Sequence, residues 1–289
     1  MSINNRKILM ILGVIMLLLS IAPLAVLAGK TEAVSLGADL TATQRTQMLE
    51  KFGVSESEVE IIEVSIQDVE KHLKGIATKE KIGTKAISSA YVRLLPTGDG
   101  LQVTTHNVSW VTNEMYANAM VTAGVKDAQV TVAAPFKVTG TTALTGIMLA
   151  FEEATGEKLS AEAKDTANEE LFVTKDISQD IGKDEAVELI QKIKKEITQQ
   201  KIKTPEDMRQ VILDIAQELG INLSEEQIDQ ILKLMEKISK LDLNIDTITK
   251  QLDNISRNLD IVKDTLNENK SFFQNLLDSI MSWLRSIFG

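Results

Sequence analysis

The chain has 289 residues, 44% of them hydrophobic and 25% charged, with a formal net charge of -10 and no cysteine. The lack of thiols excludes a disulfide framework, a thiolate metal site and a lipid anchor on cysteine, and the acidity sets the chain against phosphate backbones, so nucleic acid is not an expected partner. Proline and glycine are sparse, and a chain of this length and apolar content buries a sizeable core.

At the N-terminus, Arg6 and Lys7 precede an apolar run from Ile8 to Leu19, and Pro23-Leu24-Ala25-Val26-Leu27-Ala28 ends in small residues. That is the pattern of a secretory signal cleaved after Ala28, leaving an extracytoplasmic chain that begins near Gly29. Ile8 to Ala28 also spans about the 20 residues a membrane helix needs, so an uncleaved N-terminal anchor is the alternative. An exported protein without cysteine points to a bacterium, and we expect a Gram-positive one.

From Thr31 to about Gly156, short strand-like runs alternate with helices. Ala33–Leu36 is a short strand. Thr41, with Gln44 three residues on, forms a capping box for a helix that turns Met48, Leu49 and Phe52 inward and stops at Gly53. Val59–Val64 is a second strand, and Ser65 with Asp68 caps a short helix ending near Gly75. Ala86–Leu95 and Leu101–Val108 flank Pro96-Thr97-Gly98-Asp99-Gly100, a turn sequence that predicts a hairpin between them. Thr112 or Asn113 opens a helix to Ala123, Gly124 stops it, and Ala128–Ala134 returns as a strand, which together make a crossover unit with parallel strands. A helix with Leu144, Met148, Phe151 and Thr155 on one face closes this part at Gly156.

Beyond Gly156 the pattern is helical. Helices start near Ser160 and Lys183; Thr204-Pro205-Glu206-Asp207 opens another that ends at Gly220, and Ser224 with Gln227 is a further capping box. Ile245, Ile248, Leu252, Ile255, Leu259, Val262 and Leu266 then alternate spacings of three and four, the seam of a heptad. Thr249, Gln251, Ser256 and Asn258 flank that seam where a dedicated zipper carries charges, so internal packing is expected. After a polar break at 267–271, a last amphipathic helix presents Phe272, Phe273, Leu276, Leu277, Ile280, Met281, Leu284, Ile287 and Phe288 on one side. The fold class is therefore α+β. A signal occupies 1–28, a small mixed-sheet α/β domain 29–156, a helical region 157–243, and the heptad helix with the terminal amphipathic helix 244–289.

Catalytic signatures are missing from the sequence: no G-x-S-x-G elbow, no H-E-x-x-H helix and no Walker loop. The two histidines, His72 on a short polar helix and His106 on a strand face with Gln102 and Thr104, are expected to be solvated. Asp242, Asn244 and Asp246 open like a calcium loop, but Thr247 stands where the loop needs glycine and Asp253 where it needs glutamate, so helix capping by Asn244 or Asp246 is expected instead. Thr139-Gly140-Thr141-Thr142 suggests a hydroxyl cap, with anion binding at the helix start as the alternative. The candidate ligand-binding residues are His106, Asn107, Ser109, Trp110, Glu114 and Tyr116, a polar-aromatic cluster running from a strand into a helix, the kind of junction where α/β proteins place ligands. Plain core is the other reading of Trp110. Phe272, Phe273, Trp283 and Phe288 are candidate contacts with a membrane or a partner, because their helix has an almost uncharged polar face; closure of an intramolecular bundle is the alternative. No metal and no cofactor is expected.

Three stretches, SLGADLTATQR from Ser35 to Arg45, IGTKAISSAYV from Ile82 to Val92, and THNVSWVTNEMYANAMVTAGVKDAQVTVAAPFKVTGTTALTG from Thr105 to Gly146, resemble the YpuA-like family of exported Firmicute proteins, domain of unknown function 1002. The similarity covers essentially the whole mature chain. It implies a secreted or envelope-associated protein and carries over no catalytic residue, since the family has no assigned reaction. The expected function is that of an extracytoplasmic binding or scaffolding protein of the cell envelope, with an envelope component or a protein as partner. The alternative is a cell-wall hydrolase or transferase using carboxylates and hydroxyls around Ser88, Ser89, His106 and Glu114.

Overall fold

The computed structural model describes residues 31–74, 76–77, 82–255 and 257. The stretches expected to be a signal and a terminal amphipathic helix, and the seam residues Leu259, Val262 and Leu266, lie outside the described residues.

Five strands, β1 (Glu32–Gly37), β2 (Glu60–Val64), β3 (Ser89–Leu94), β4 (Leu101–Val108) and β5 (Ala128–Val138), form one mixed sheet in the order β2-β1-β3-β5-β4. β1 and β2 run parallel, as do β4 and β5, while β3 is antiparallel to both of its neighbours, so the chain is α+β as expected. Side chains alternate between the two sheet faces. Val34, Leu36, Tyr91 and Ala133 pack with Met48 and Leu49 of α1 (Ala42–Phe52) on one face. Ala33, Ala90, Val92, Val130 and Val132 lie on the other, against α3 (Asn113–Ala123) and α4 (Ala143–Thr155). The short helix α2 (Ile66–Leu73) sits at the side, with Val69 and Leu73 packed beside Val64 and Phe172.

Local signals set these boundaries. Capping boxes at Thr41 and Ser65 start α1 and α2, and left-handed Gly53, Gly124 and Gly156 terminate α1, α3 and α4. Thr112 caps α3 through its hydroxyl, which accepts from the Met115 amide. Thr142 does not cap α4 in this way; its side chain makes no cap hydrogen bond. Nor is α4 amphipathic in its setting, because it lies between the sheet and the helices beyond and buries nearly every residue from Ala143 to Ala154.

The expected hairpin is absent. β3 and β4 do not pair, because β5 lies between them, hydrogen-bonded to both. The five residues 96–100 bridge two inter-strand spacings, about 10 Å, instead of folding into a tight turn. Asp127 fixes this arrangement: its carbonyl accepts from the Leu95 amide at 2.7 Å, and its Oδ1 accepts from Gly98 at 3.0 Å and Gly100 at 2.9 Å. The glycines serve the wide loop, with φ of 100° and 73°, and the same residue types are what a hairpin turn uses.

The helical part comprises α5 (Ala161–Ile181), α6 (Lys183–Gln199), α7 (Pro205–Glu218), α8 (Glu225–Ile238) and α9 (residues 245–255). Asn244 caps α9, accepting from the Thr247 amide at 2.9 Å, as the capping reading of the would-be calcium loop expects. One hydrophobic cluster runs from the sheet through α3 and α4 to Ala167 and Leu171 of α5, Val187 of α6, and Ile248, Leu252 and Ile255 of α9. The seam residues Ile248, Leu252 and Ile255 are thus buried inside the chain, against the α/β core, while Ile245 is half-buried. A second cluster, from Ile177 to Ile238, joins α5, α6, α7 and α8.

Candidate functional site

The polar-aromatic cluster at the β4–α3 junction is engaged internally. Asn107 stands at a bulge in β4 with φ 59°, a left-handed conformation asparagine tolerates, and its Nδ2 donates to the Ala134 carbonyl at 2.8 Å. Ser109 donates its hydroxyl to the Val138 carbonyl at 2.9 Å. Trp110, half-buried, carries the Lys175 ammonium 5.0 Å and the Lys183 ammonium 5.7 Å from its ring centroid. Lys183 also donates to the Ser109 carbonyl at 3.2 Å. The ring faces are therefore used to hold the start of α6 and the end of α5 against the β4–α3 junction. Tyr116 is fully buried, donates to the Gly140 carbonyl at 2.5 Å, and has its pKa raised by burial. A side chain at position 140 would collide with that hydroxyl.

His106 and Glu114 are not neighbours. The register sets Ser89, Ala133 and His106 on one rung across three strands, hence on the α1 face of the sheet. Ser89 is 1% exposed there, and its hydroxyl has no partner among the described residues. His106 is half-buried, and its pKa is lowered by burial and by the charge of Lys51 on α1. Glu114 sits on α3, which covers the opposite face. The sheet thus separates the carboxylate from the histidine, and Ser88 precedes β3. A catalytic arrangement of Ser88, Ser89, His106 and Glu114 is not assembled.

A different histidine occupies a site. His72, at the end of α2, is largely buried, its side chain 10% exposed, and its Nδ1 lies 2.8 Å from Asp165 Oδ1 on α5. The solvated setting expected for it is wrong: α2 packs across α5, and a residue ninety-three positions later supplies the partner. This pair lines a cleft of about 420 Å³ between α2, α5 and the C-terminal end of α8. Glu162, Asp165, Thr166 and Glu169 recur at helical spacing and form one wall from a single face of α5. Ile76 and Leu241 add apolar surface, and Lys74, Lys237 and Lys240 bring three ammonium groups. Lys237 is paired with Glu169. No hydrogen-bonding signal within α2 marks His72 in the sequence; only the i, i+3, i+4, i+7 polar stripe on α5 was legible, and it resembles any solvated helix face.

Among the described residues, no group of three or more His, Asp or Glu side chains is placed to hold a metal ion. No described helix is long and apolar enough to cross a membrane.

Known proteins match this chain over most of its length. The family described as "Protein of unknown function (DUF1002)" matches residues 36–255. An uncharacterised protein of Bacillus subtilis (strain 168), YpuA, is 35% identical over 260 residues, covering 88% of this chain and 89% of its own length. No solved structure matches.

Proposed function

The chain belongs to the DUF1002 family, and we propose that it is a non-catalytic binding module working on the outer side of a bacterial cell envelope. The observation that carries this reading is the cleft between α2, α5 and α8, where apolar side chains and convergent charged groups line one concavity, the composition of a ligand pocket. The separation of His106 from Glu114 by the sheet weighs against the hydrolase or transferase alternative.

The extracytoplasmic placement rests on the signal pattern from Arg6 to Ala28, and intact mass of the protein from its native host is expected to give an N-terminus near Gly29. Attachment to the envelope is assigned to the segment bearing Phe272, Phe273, Trp283 and Phe288, whose few charges predict binding to liposomes that survives high salt. A mature chain that stays lipid-free in flotation sinks this attachment.

Crosslinking in intact cells tests the module itself. A photoreactive residue at Glu162, in the cleft mouth, is expected to capture an envelope component, and filling the cleft with Thr166→Trp is expected to abolish that capture. Release of soluble fragments from purified cell wall by the pure protein would replace the binding reading with the enzymatic one.

A further inference from the structure

Three ammonium groups and three carboxylates line the cleft, and they are unevenly paired. Asp165 is taken by His72 and Glu169 by Lys237. Lys74 and Lys240, on opposite walls, have no ion pair among the described residues, while Glu162 at the mouth is the one lining carboxylate left over. Counting His72 as neutral, the lining is formally balanced, and Lys74 and Lys240 are the cationic positions open to a ligand. Beside them lie Ile76 and Leu241, and the buried Thr166, whose hydroxyl is turned to the Glu162 carbonyl at 2.7 Å and so offers no competing donor. His72 uses Nδ1 toward Asp165, which leaves Nε2 as its other polar atom.

We infer that this cleft binds a small amphipathic organic anion, its acidic head group between Lys74 and Lys240 and its apolar body against Ile76 and Leu241. Two ammonium groups set across a half-enclosed space favour a single acidic group by charge-assisted hydrogen bonding, and the apolar lining favours a ligand with a hydrocarbon body over inorganic phosphate. A cationic ligand of the same shape meets two like charges, which costs affinity. The inference rests on the binding-module reading and names the ligand class for its pocket.

The test uses the fluorescent probe 1-anilinonaphthalene-8-sulfonate, an apolar body with one sulfonate, on the mature protein. Decanoate below its micellar concentration is expected to displace it, and decyltrimethylammonium, of the same chain length, is not. The double variant Lys74→Gln/Lys240→Gln is expected to weaken probe binding by about tenfold or more, the scale of losing charge-assisted hydrogen bonds. Glu162→Gln is expected to tighten it, and Lys126→Gln, an exposed lysine outside the cleft, to leave it unchanged. Because the chain has no cysteine, Glu162→Cys provides a unique thiol whose alkylation by N-ethylmaleimide is expected to slow when decanoate is bound. Equal displacement by the cationic and anionic surfactants, or unchanged affinity in the double lysine variant, overturns the inference. The binding-module reading fails separately, through loss of cellular crosslinking at the cleft or gain of hydrolytic activity.

Discussion

The two sides of the α5–α6 pair are held by opposite means. Toward the α/β part, Lys194 of α6 is wholly buried and places its ammonium 2.7 Å from Glu170 Oε1, 2.8 Å from the Asn118 carbonyl and 3.0 Å from the Thr122 hydroxyl, which in turn donates to Glu170. Burial lowers the pKa of Lys194, and the Glu170 carboxylate works against that. Toward α7 and α8, the contact is made by Ile, Leu, Met and Ala side chains, and no polar side chain of α7 or α8 is buried. An aliphatic seam supplies stabilisation but accepts neighbouring registers at little penalty. A buried ammonium that must meet a carboxylate, a hydroxyl and a carbonyl accepts one arrangement, so the first interface sets position and the second adds stability.

Breaking the polar interface on one side only is expected to have the largest effect. Lys194→Met, which leaves Glu170 buried without its cation, is expected to cost about 3 to 5 kcal/mol in urea unfolding. Lys194→Met combined with Glu170→Leu is expected to recover most of that loss, since no charge then stays buried alone. If the double variant is as unstable as the single one, the network supplies net stability and the contrast with the aliphatic seam is wrong.

Next come the apolar contacts. Leu234→Ala on α8 and Leu252→Ala on α9 are each expected to cost about 2 to 5 kcal/mol, because both side chains are wholly buried. Thr249→Ala is expected to change stability by no more than about 0.5 kcal/mol. Equal small effects at Leu252 and Thr249 would mean that α9 does not contribute to the core.

A buried carboxylate in the last turn of α4 sharpens the comparison with pH. Burial pushes Glu152 up, but hydrogen bonds from Lys164, the Leu159 amide and Lys158, with the charge of Lys164, outweigh it and hold the pKa below the usual glutamate value. A depressed folded-state pKa gives stability that is present above the unfolded value and lost as pH falls through the folded one. Glu152→Gln is therefore expected to cost about 1.5 to 3 kcal/mol near neutral pH, and the gap between variant and parent is expected to close below about pH 4 in melts across pH.

The smallest effect is expected at the surface. Arg209 on α7 reaches Glu225 and, at 3.2 Å, Asp229 on α8. Its pKa is raised by the hydrogen bond and charge of Glu225. Arg209→Gln is expected to change the unfolding midpoint only slightly, and salt is expected to erase the difference. A loss as large as that at Leu234 would show that α7 and α8 are not held by their apolar seam.

Helix starts and stops were legible in the sequence because each is a local transaction between a side chain and a backbone a few residues away, as at Thr41, Ser65, Thr204 and Ser224. The β4–α3–β5 crossover was legible for a similar reason: strand, helix and strand follow one another directly. What was hidden depends on long separation. The hydrogen bond between His72 and Asp165 and the network of Lys194 with Glu170, Thr122 and Asn118 join residues from different elements whose local patterns show only a polar helix position. Lys194 in particular stands among lysines and a glutamate that look like a solvated face, and only the approach of α3 puts it inside. The ligand cluster around Trp110 was correctly placed at a strand-to-helix junction, but its polar atoms are spent on neighbouring carbonyls and its ring on two lysines.

Asp127 has a further consequence, in the order of events as the chain forms. β3 and β4 are complete before β5 exists, and each then offers an open edge to the other across a turn sequence able to close a hairpin. The mature sheet has its last strand between those edges. Asp127 sits at the leading end of that strand and takes the Gly98 and Gly100 amides, which a tight turn would need for itself. Entry of β5 thus latches the loop open in the same step that fills the gap, and a chain stopped before residue 128 lacks the strand that keeps the free edge of β3 apart from β4.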